Sequence, residues 1–210
     1  MPTTPILLLP YPAPGDPADV PTDMNELATR LETVITASGG YGTSLPGSPT
    51  NGQEYTLVDS ITNPSYQWRF RYNSGSTSPY KWEFVGGSHV VVAVNTQENH
   101  PGGSAWANLP TNGPLFTVPR GGDYLVIAST ASNNGAAGTS TGQLGPAVGD
   151  TTPPVVVGVS LQSGFASGIA LQGAFYGVTA GNILKLRYWS NSNLLNFSNR
   201  VMTVTPIRVS

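Results

Sequence analysis

Ile183-Leu184-Lys185-Leu186-Arg187-Tyr188-Trp189 alternates apolar and charged side chains along most of its length. In an extended chain successive side chains point to opposite faces, so Leu184, Leu186 and Tyr188 share one face and Lys185 and Arg187 the other. A helix would scatter the same residues around its circumference. The stretch therefore reads as a strand with one face toward a core and one toward water. The same rhythm recurs around it. Candidate strands are 89–95, 105–109, 115–118, 123–130, 143–148, 155–161, 169–178, 182–190 and 201–209, broken by Gly, Pro and Asn. Short strands at this spacing favour a β sandwich or jelly roll across residues 88–210. Residues 133–142, all small or polar, read as a loop.

Upstream, residues 41–87 read as a small β unit. A first strand covers 53–59. Trp68, Phe70 and Tyr72 then alternate with Gln67, Arg69 and Arg71, and Tyr80, Trp82 and Phe84 alternate with Lys81 and Glu83. Period two puts the aromatic residues on one face. The polar linker Asn73-Ser74-Gly75-Ser76-Thr77-Ser78 makes the pair a hairpin. Alternating Arg and aromatic residues also suit a nucleic-acid stacking platform. Aromatic residues of this period more often form the core of their own sheet.

Residues 20–36 read as a helix. Asp19 is placed to cap it, Pro21 sits in its first turn, and Gly39-Gly40 ends it. Met24, Leu27, Leu31 and Val34 follow a-d-a-d spacing, and Ile35 widens the stripe. Two heptads are marginal alone, since isolated helices below about 12–15 residues barely form in water. These five residues are the candidate oligomerisation seam. Ahead of them, Pro2, Pro5, Pro10, Pro12, Pro14 and Pro17 keep residues 1–18 extended. Ile6, Leu7, Leu8, Leu9 and Tyr11 are the apolar residues a strap would lay on a partner.

Composition narrows the function classes. The 210 residues carry 9 Lys and Arg against 11 Asp and Glu, with 25 Gly, 19 Pro and no Cys. Disulfides and thiolate metal sites are excluded. Asp16, Asp19, Asp23, Glu26 and Glu32 stand against Arg30 alone in residues 1–40. Lys185, Arg187, Arg200 and Arg208 are the charges of residues 151–210. They are too scattered for a nucleic-acid footprint and read as cations that keep edges and rims soluble. Ile6–Leu9 is short and lacks a basic residue before it, so no secretory signal is expected. No stretch approaches a transmembrane span.

Three segments resemble the trimeric jelly roll of the tumour-necrosis-factor and complement-globular-head type. They are Phe116-Thr117-Val118-Pro119-Arg120-Gly121-Gly122-Asp123-Tyr124-Leu125, Val178-Thr179-Ala180-Gly181-Asn182-Ile183-Leu184-Lys185-Leu186 and Asn199-Arg200-Val201-Met202-Thr203-Val204. Asn182 stands where that group commonly has an acid. The front half resembles structural proteins from tailed phages of actinobacteria. The resemblance lies in Leu9-Pro10-Tyr11-Pro12-Ala13-Pro14, Asp16-Pro17-Ala18-Asp19-Val20-Pro21 and Leu45-Pro46-Gly47-Ser48-Pro49-Thr50-Asn51-Gly52-Gln53-Glu54. It continues in Trp68-Arg69-Phe70-Arg71-Tyr72-Asn73 and Tyr80-Lys81-Trp82-Glu83-Phe84-Val85-Gly86-Gly87. Such chains are minor tail, fibre or capsid-surface proteins. The resemblance implies a homotrimeric virion projection, assembled in the host cytoplasm. Its leader docks on other virion proteins, its helix trimerises and its jelly roll faces outward.

Chemistry is sparse. Gly138-Thr139-Ser140-Thr141-Gly142 matches G-x-S-x-G, but a nucleophile elbow needs a strand before it and a helix after it. His89 and His100 are the only histidines, and Glu98 near His100 does not complete a metal-ligand spacing. Nothing in the sequence brings Glu98 together with Asp123 or Asp150 as a glycosidase pair. No phosphate-binding motif is present. Asn196-Phe197-Ser198 fits a glycosylation acceptor only in a secretory route.

The sequence thus predicts a mainly β chain with a C-terminal jelly-roll sandwich, preceded by a small β unit and a short N-terminal coiled-coil-like helix. The expected division is an anchoring leader over 1–18, an oligomerisation helix over 19–40, the β unit over 41–87 and the head over 88–210. The expected function is a non-enzymatic phage virion protein of the capsid-decoration or head-fibre kind. It has no cofactor, no metal, no nucleic-acid partner and no membrane insertion. A tail fibre or receptor-binding spike that contacts host-surface glycans is the alternative. A carbohydrate-binding module is the other, with Trp106, Tyr188 and Trp189 as candidate ligand contacts.

Overall fold

A computed structural model describes residues 20–210; the side chains of residues 34–38 lie outside that description. The leader and its strap residues Ile6–Leu9 and Tyr11 are likewise outside it, as is the Asp19 cap. The helix α1 (Val20–Ser38) has Pro21 and Asp23 in its first turn, where a missing N–H costs little and a negative charge suits the dipole. It stops at Gly39, whose φ of +127° suits glycine.

The strands follow as β1 (Gly40–Gly42), β2 (Glu54–Val58), β3 (Gln67–Tyr72), β4 (Trp82–Gly87), β5 (Val90–Val94), β6 (Glu98–Asn99) and β7 (Trp106–Ala107). After them come β8 (Leu115–Thr117), β9 (Gly122–Asn134), β10 (Ser140–Val148), β11 (Val157–Leu161), β12 (Ala166–Val178), β13 (Ile183–Ser190) and β14 (Leu195–Val209). They form two layers. One has the order β1-β2-β3-β4-β14-β9-β12, with β5 and β6 also on β14. The other has the order β11-β10-β13-β7, with β8 also on β13. From β9 the chain passes to the second layer for β10 and β11, back for β12, across for β13 and back for β14. This winding of strand pairs between two sheets is a jelly-roll sandwich.

Most sequence-derived strands stand within a few residues of their expected bounds. The expected loop over 133–142 is shorter, because β9 runs to Asn134 and β10 starts at Ser140. Asn134 closes that turn itself: its Nδ2 donates to Gly138 O at 3.0 Å and Leu161 O at 2.8 Å, and its Oδ1 accepts from Ala136 N at 2.9 Å. β1, which pairs in parallel with β2, carries no apolar alternation that a sequence reading detects.

The 41–87 unit shares one core with the head. β4 pairs with β14 through Arg208↔Glu83 and Val209↔Trp82. Trp68, fully buried on β3, stacks on Tyr66 at 4.1 Å between centroids. Its other neighbours are Phe70 at 6.4 Å, Phe116 of β8 at 6.0 Å and Tyr124 of β9 at 6.3 Å. One indole therefore touches the hairpin and both sandwich layers. At the β3–β4 bulge, Gly87 (φ +120°) leaves room for the Gln67 carbonyl, which a Cβ there would overlap.

Trp68→Ala is expected to lower unfolding free energy by about 3–5 kcal/mol. The Trp68 indole N–H is buried without a partner among the described residues. Trp68→Phe removes that unpaired donor and is expected to cost well under half as much. Denaturant midpoints of the two variants check this, with the exposed Arg69→Ala as a near-neutral control.

Candidate assembly and contact surfaces

The alternation on β13 predicts Lys185 and Arg187 facing water, yet the structure buries both. They do leave the core face, where Leu184, Leu186 and Tyr188 are buried. Loops then close over them. Asp150 Oδ1 meets Lys185 Nζ at 2.5 Å and Arg187 Nη1 at 3.2 Å, and Asn108 Nδ2 donates to the same oxygen at 2.9 Å. Arg187 Nη2 donates to Trp106 O at 2.7 Å. The Asp150 side chain is itself 71% exposed. The hydrogen bond from Lys185, then that from Asn108, holds its carboxyl below the usual carboxylate range. The cluster fastens the segments around Trp106 and Asp150 to the second layer.

Arg200 departs further from its expected place at a soluble rim. β14 carries a bulge between Ser198 and Val201, where Asn199 adopts φ of +48°. Asparagine tolerates that left-handed conformation better than most residues. One extra residue reverses the parity of the strand. Leu195 and Phe197 point inward before the bulge, and Arg200, Met202 and Val204 point inward after it. Arg200 is fully buried. Its Nη2 meets Glu98 Oε2 at 2.8 Å, its Nη1 donates to Thr111 O at 3.1 Å and to Gly113 O at 3.3 Å, and its guanidinium lies 5.7 Å from the Tyr188 ring centroid. Glu98 Oε1 accepts from Thr111 N at 2.8 Å. The pair pins the long connection between β5 and β8 to the sandwich.

Tyr188 is consequently not available to a ligand. It is fully buried, with its hydroxyl 3.4 Å from Gly113 O, and burial pushes its phenol up from the ordinary value. Trp106 and Trp189 are half-buried cross-strand partners at the β7–β13 pairing. Ser140 is buried at the start of β10 and followed by strand, which is not an elbow. His89 is exposed, with Nδ1 2.7 Å from Thr205 Oγ1. His100 is buried, with Nε2 3.2 Å from Tyr188 O and Nδ1 accepting from Gly102 N at 2.9 Å. Both ring nitrogens are used by the neutral tautomer, and burial lowers its pKa. Among the described residues no group of three or more acids and histidines stands ready for a metal ion, and no helix is long and apolar enough to cross a membrane.

Two surfaces expose apolar side chains. On α1, Met24 is 60% and Leu31 is 38% exposed, with Val20 also exposed and Leu27 intermediate. Val34 and Ile35, the remainder of the expected stripe, lie outside the described side chains. The second surface is an edge. β12 and β11 end their respective layers, run close to each other and have no outer partner among the described residues. Residues 151–184 contain no Asp, Glu, Lys, Arg or His. Phe165 is 61% and Tyr176 is 72% exposed along this edge. Natural edge strands are usually guarded by charge, proline or a cover. The sequence signal for this surface was the uncharged run itself.

No family model matches the chain, and no curated protein matches it. Among solved structures it is similar to the globular domain of zebrafish complement 1qA protein, at 13% identity and a TM-score of 0.34. That match covers 57% of this chain and 96% of the other. It is also similar to the structure of infectious bursal disease virus, Gx strain, at 10% identity and a TM-score of 0.39 over 72% of this chain. For the Gt strain the values are 12%, 0.39 and 77%. The chain spans only 42% and 41% of the two viral chains.

Breaking the buried pair by Glu98→Ala or Arg200→Ala is expected to cost about 3–5 kcal/mol, while Glu98→Leu with Arg200→Met costs less than either. Thermal melts of the three variants check this. For His100 the charged form is disfavoured in the fold, so the folded imidazole titrates below the unfolded one. Stability is then complete above about pH 6.5 and falls as the pH drops below it, by at most about 1.4 kcal/mol per pH unit. Denaturant unfolding at pH 7.5 and pH 5.5 is expected to show this loss in the unsubstituted protein and in His89→Gln, and a smaller one in His100→Gln.

Proposed function

We propose that this chain is a non-enzymatic structural protein of a phage virion, a homotrimeric surface projection anchored by its N-terminus, of the capsid-decoration or head-fibre kind. The observation that carries the reading is the exposed apolar stripe of α1. Met24, Leu27 and Leu31 keep heptad spacing, and the sandwich completes its core without them. Burying each such aliphatic side chain against symmetry mates stabilises an assembly by roughly 1.5–3 kcal/mol. The charge-free edge of β11 and β12 supports self-association as well. The phage assignment is supported by the resemblance of the leader and of the two aromatic strands to tail, fibre and capsid-surface proteins. Ile6, Leu7, Leu8, Leu9 and Tyr11 are the proposed particle contacts, and threefold symmetry multiplies weak contacts into avidity.

A second reading is a tail fibre or spike that contacts host glycans. The half-buried pair Trp106 and Trp189 favours it, since an accessible indole offers a stacking face to a sugar ring. Loss of glycan-array signal in Trp106→Ala and Trp189→Ala would distinguish it from pure decoration.

Light scattering of the full chain is expected to give a trimer mass. Leu27→Asp with Leu31→Asp is expected to reduce that mass while leaving the β circular-dichroism signal unchanged. A monomer from the unsubstituted protein would overturn the reading.

A further inference from the structure

Arg71 stands between two carboxylates and, among the described residues, closes an ion pair with neither. Its cross-strand partners are Glu54 on β2 and Glu83 on β4. Residues directly opposite one another share a face of the sheet. Here it is the face turned away from the buried Trp68 and Phe70. Glu54 is met instead by Arg69 at 3.8 Å, and Glu83 Oε1 accepts from Asn73 Nδ2 at 2.9 Å. The Arg71 guanidinium lies by the turn at Gly52, where a Cβ would stand 3.6 Å from its Nη2. These groups enclose a cleft of about 240 Å³, lined by Asn51, Gly52, Arg71, Tyr72, Asn73 and Glu83. Its walls are fixed by hydrogen bonds. Asn51 Oδ1 accepts from Ser74 N at 3.0 Å, Asn73 Oδ1 accepts from Gly75 N at 3.1 Å, and Gly52 N donates to Tyr72 O at 2.8 Å. Among the described residues these bonds leave the Arg71 guanidinium and Asn51 Nδ2 as donors and Glu83 Oε2 as an acceptor.

We infer that this cleft binds a neutral saccharide, with adjacent hydroxyls of one sugar ring bridging Arg71 and Glu83 and the Asn51 amide donating to a further oxygen. The mixture of groups selects this ligand. A hydroxyl is both donor and acceptor, so a pair of them accepts from a guanidinium and donates to a carboxylate at the same time. Hydrogen bonds with a charged partner are the stronger kind. An anion would meet Glu83 and a cation would meet Arg71, so a ligand of net charge is disfavoured. An apolar ligand would strip water from three polar groups and return no hydrogen bond. Because the walls are already held, little side-chain freedom is lost on binding. The cleft is separate from Trp106 and Trp189, which lie on β7 and β13 in the other layer. A saccharide here goes beyond the virion reading and does not depend on it.

The full-length protein is titrated with the methyl glycosides of glucose, galactose, mannose and N-acetylglucosamine while its amide NMR shifts are followed. At least one glycoside is expected to move the amides of Gly52 and of Asn73, Ser74 and Gly75, with saturation in the millimolar range. Arg71→Ala and Glu83→Gln are each expected to weaken that binding roughly tenfold or more, the worth of one hydrogen bond to a charged group. Arg69→Ala, on the same face but outside the cleft, is expected to leave it unchanged. Arg71 is exposed, and the Gln substitution keeps an acceptor for Asn73, so circular dichroism of both cleft variants is expected to match the unsubstituted protein. Absence of shifts at these amides with all four glycosides would overturn the assignment, as would shifts that both cleft variants leave intact. Glycine serves as a small zwitterion in the same titration. If it moves the cleft amides and the glycosides do not, the cleft takes a zwitterion and the saccharide assignment falls. Shifts confined to Trp106 and Trp189 place glycan contact on the other layer and likewise overturn it.

Discussion

The long ladder between β14 and β9 is the constraint on which the other pairings depend. It runs from Leu195↔Asn134 to Val209↔Gly122, and the far side of β14 accepts β6, β5 and β4 in turn. Because one strand borders all of these, a change of parity in β14 changes what every neighbour faces. Two irregularities set that parity, at Ser198–Val201 and at Pro206–Arg208. The first turns a guanidinium into the sandwich. The second returns Val209 to the core beside Trp82. The glycine at 122 belongs to the same ladder, since a Cβ there would overlap the Arg208 carbonyl.

Charge is scarce in this chain, and the structure spends much of it internally. Arg200 with Glu98 and Lys185 and Arg187 with Asp150 each tie a long connection to a layer. Arg208 meets Asp123 at 3.1 Å at the end of the β14–β9 ladder, and Asp123 also accepts from Gly177 N at 2.9 Å. The one pair buried on both sides, Arg200 with Glu98, contributes little net stability over an apolar replacement, yet breaking it leaves an uncompensated charge. The effect of all three clasps is to fix which loop conformation accompanies the sandwich. The concentration of charge at these clasps leaves the β11–β12 edge with none, and the same distribution that orders the loops leaves a surface open to association.

The helix extends that logic to the front of the chain. α1 has an apolar stripe with no cover among its described residues, followed by glycines rather than by a packed connection.

The sequence by itself determined the β class, the strand rhythm, the helix with its stripe and the inward set Leu184, Leu186 and Tyr188, because each follows from local periodicity and turn residues. It also marked the aromatic face of Trp68 and Phe70. Only the tertiary structure decided that this face completes the head's own core, because an indole's neighbours on β8 and β9 are distant in sequence. Only it decided the fate of Lys185, Arg187, Arg200 and Tyr188. Alternation tells which side of a strand a residue leaves by, but not whether a loop arrives to cover that side or a bulge reverses it. Those outcomes depend on long-range contacts, and Asn199 alone, as a residue that tolerates a left-handed backbone, offered a local hint.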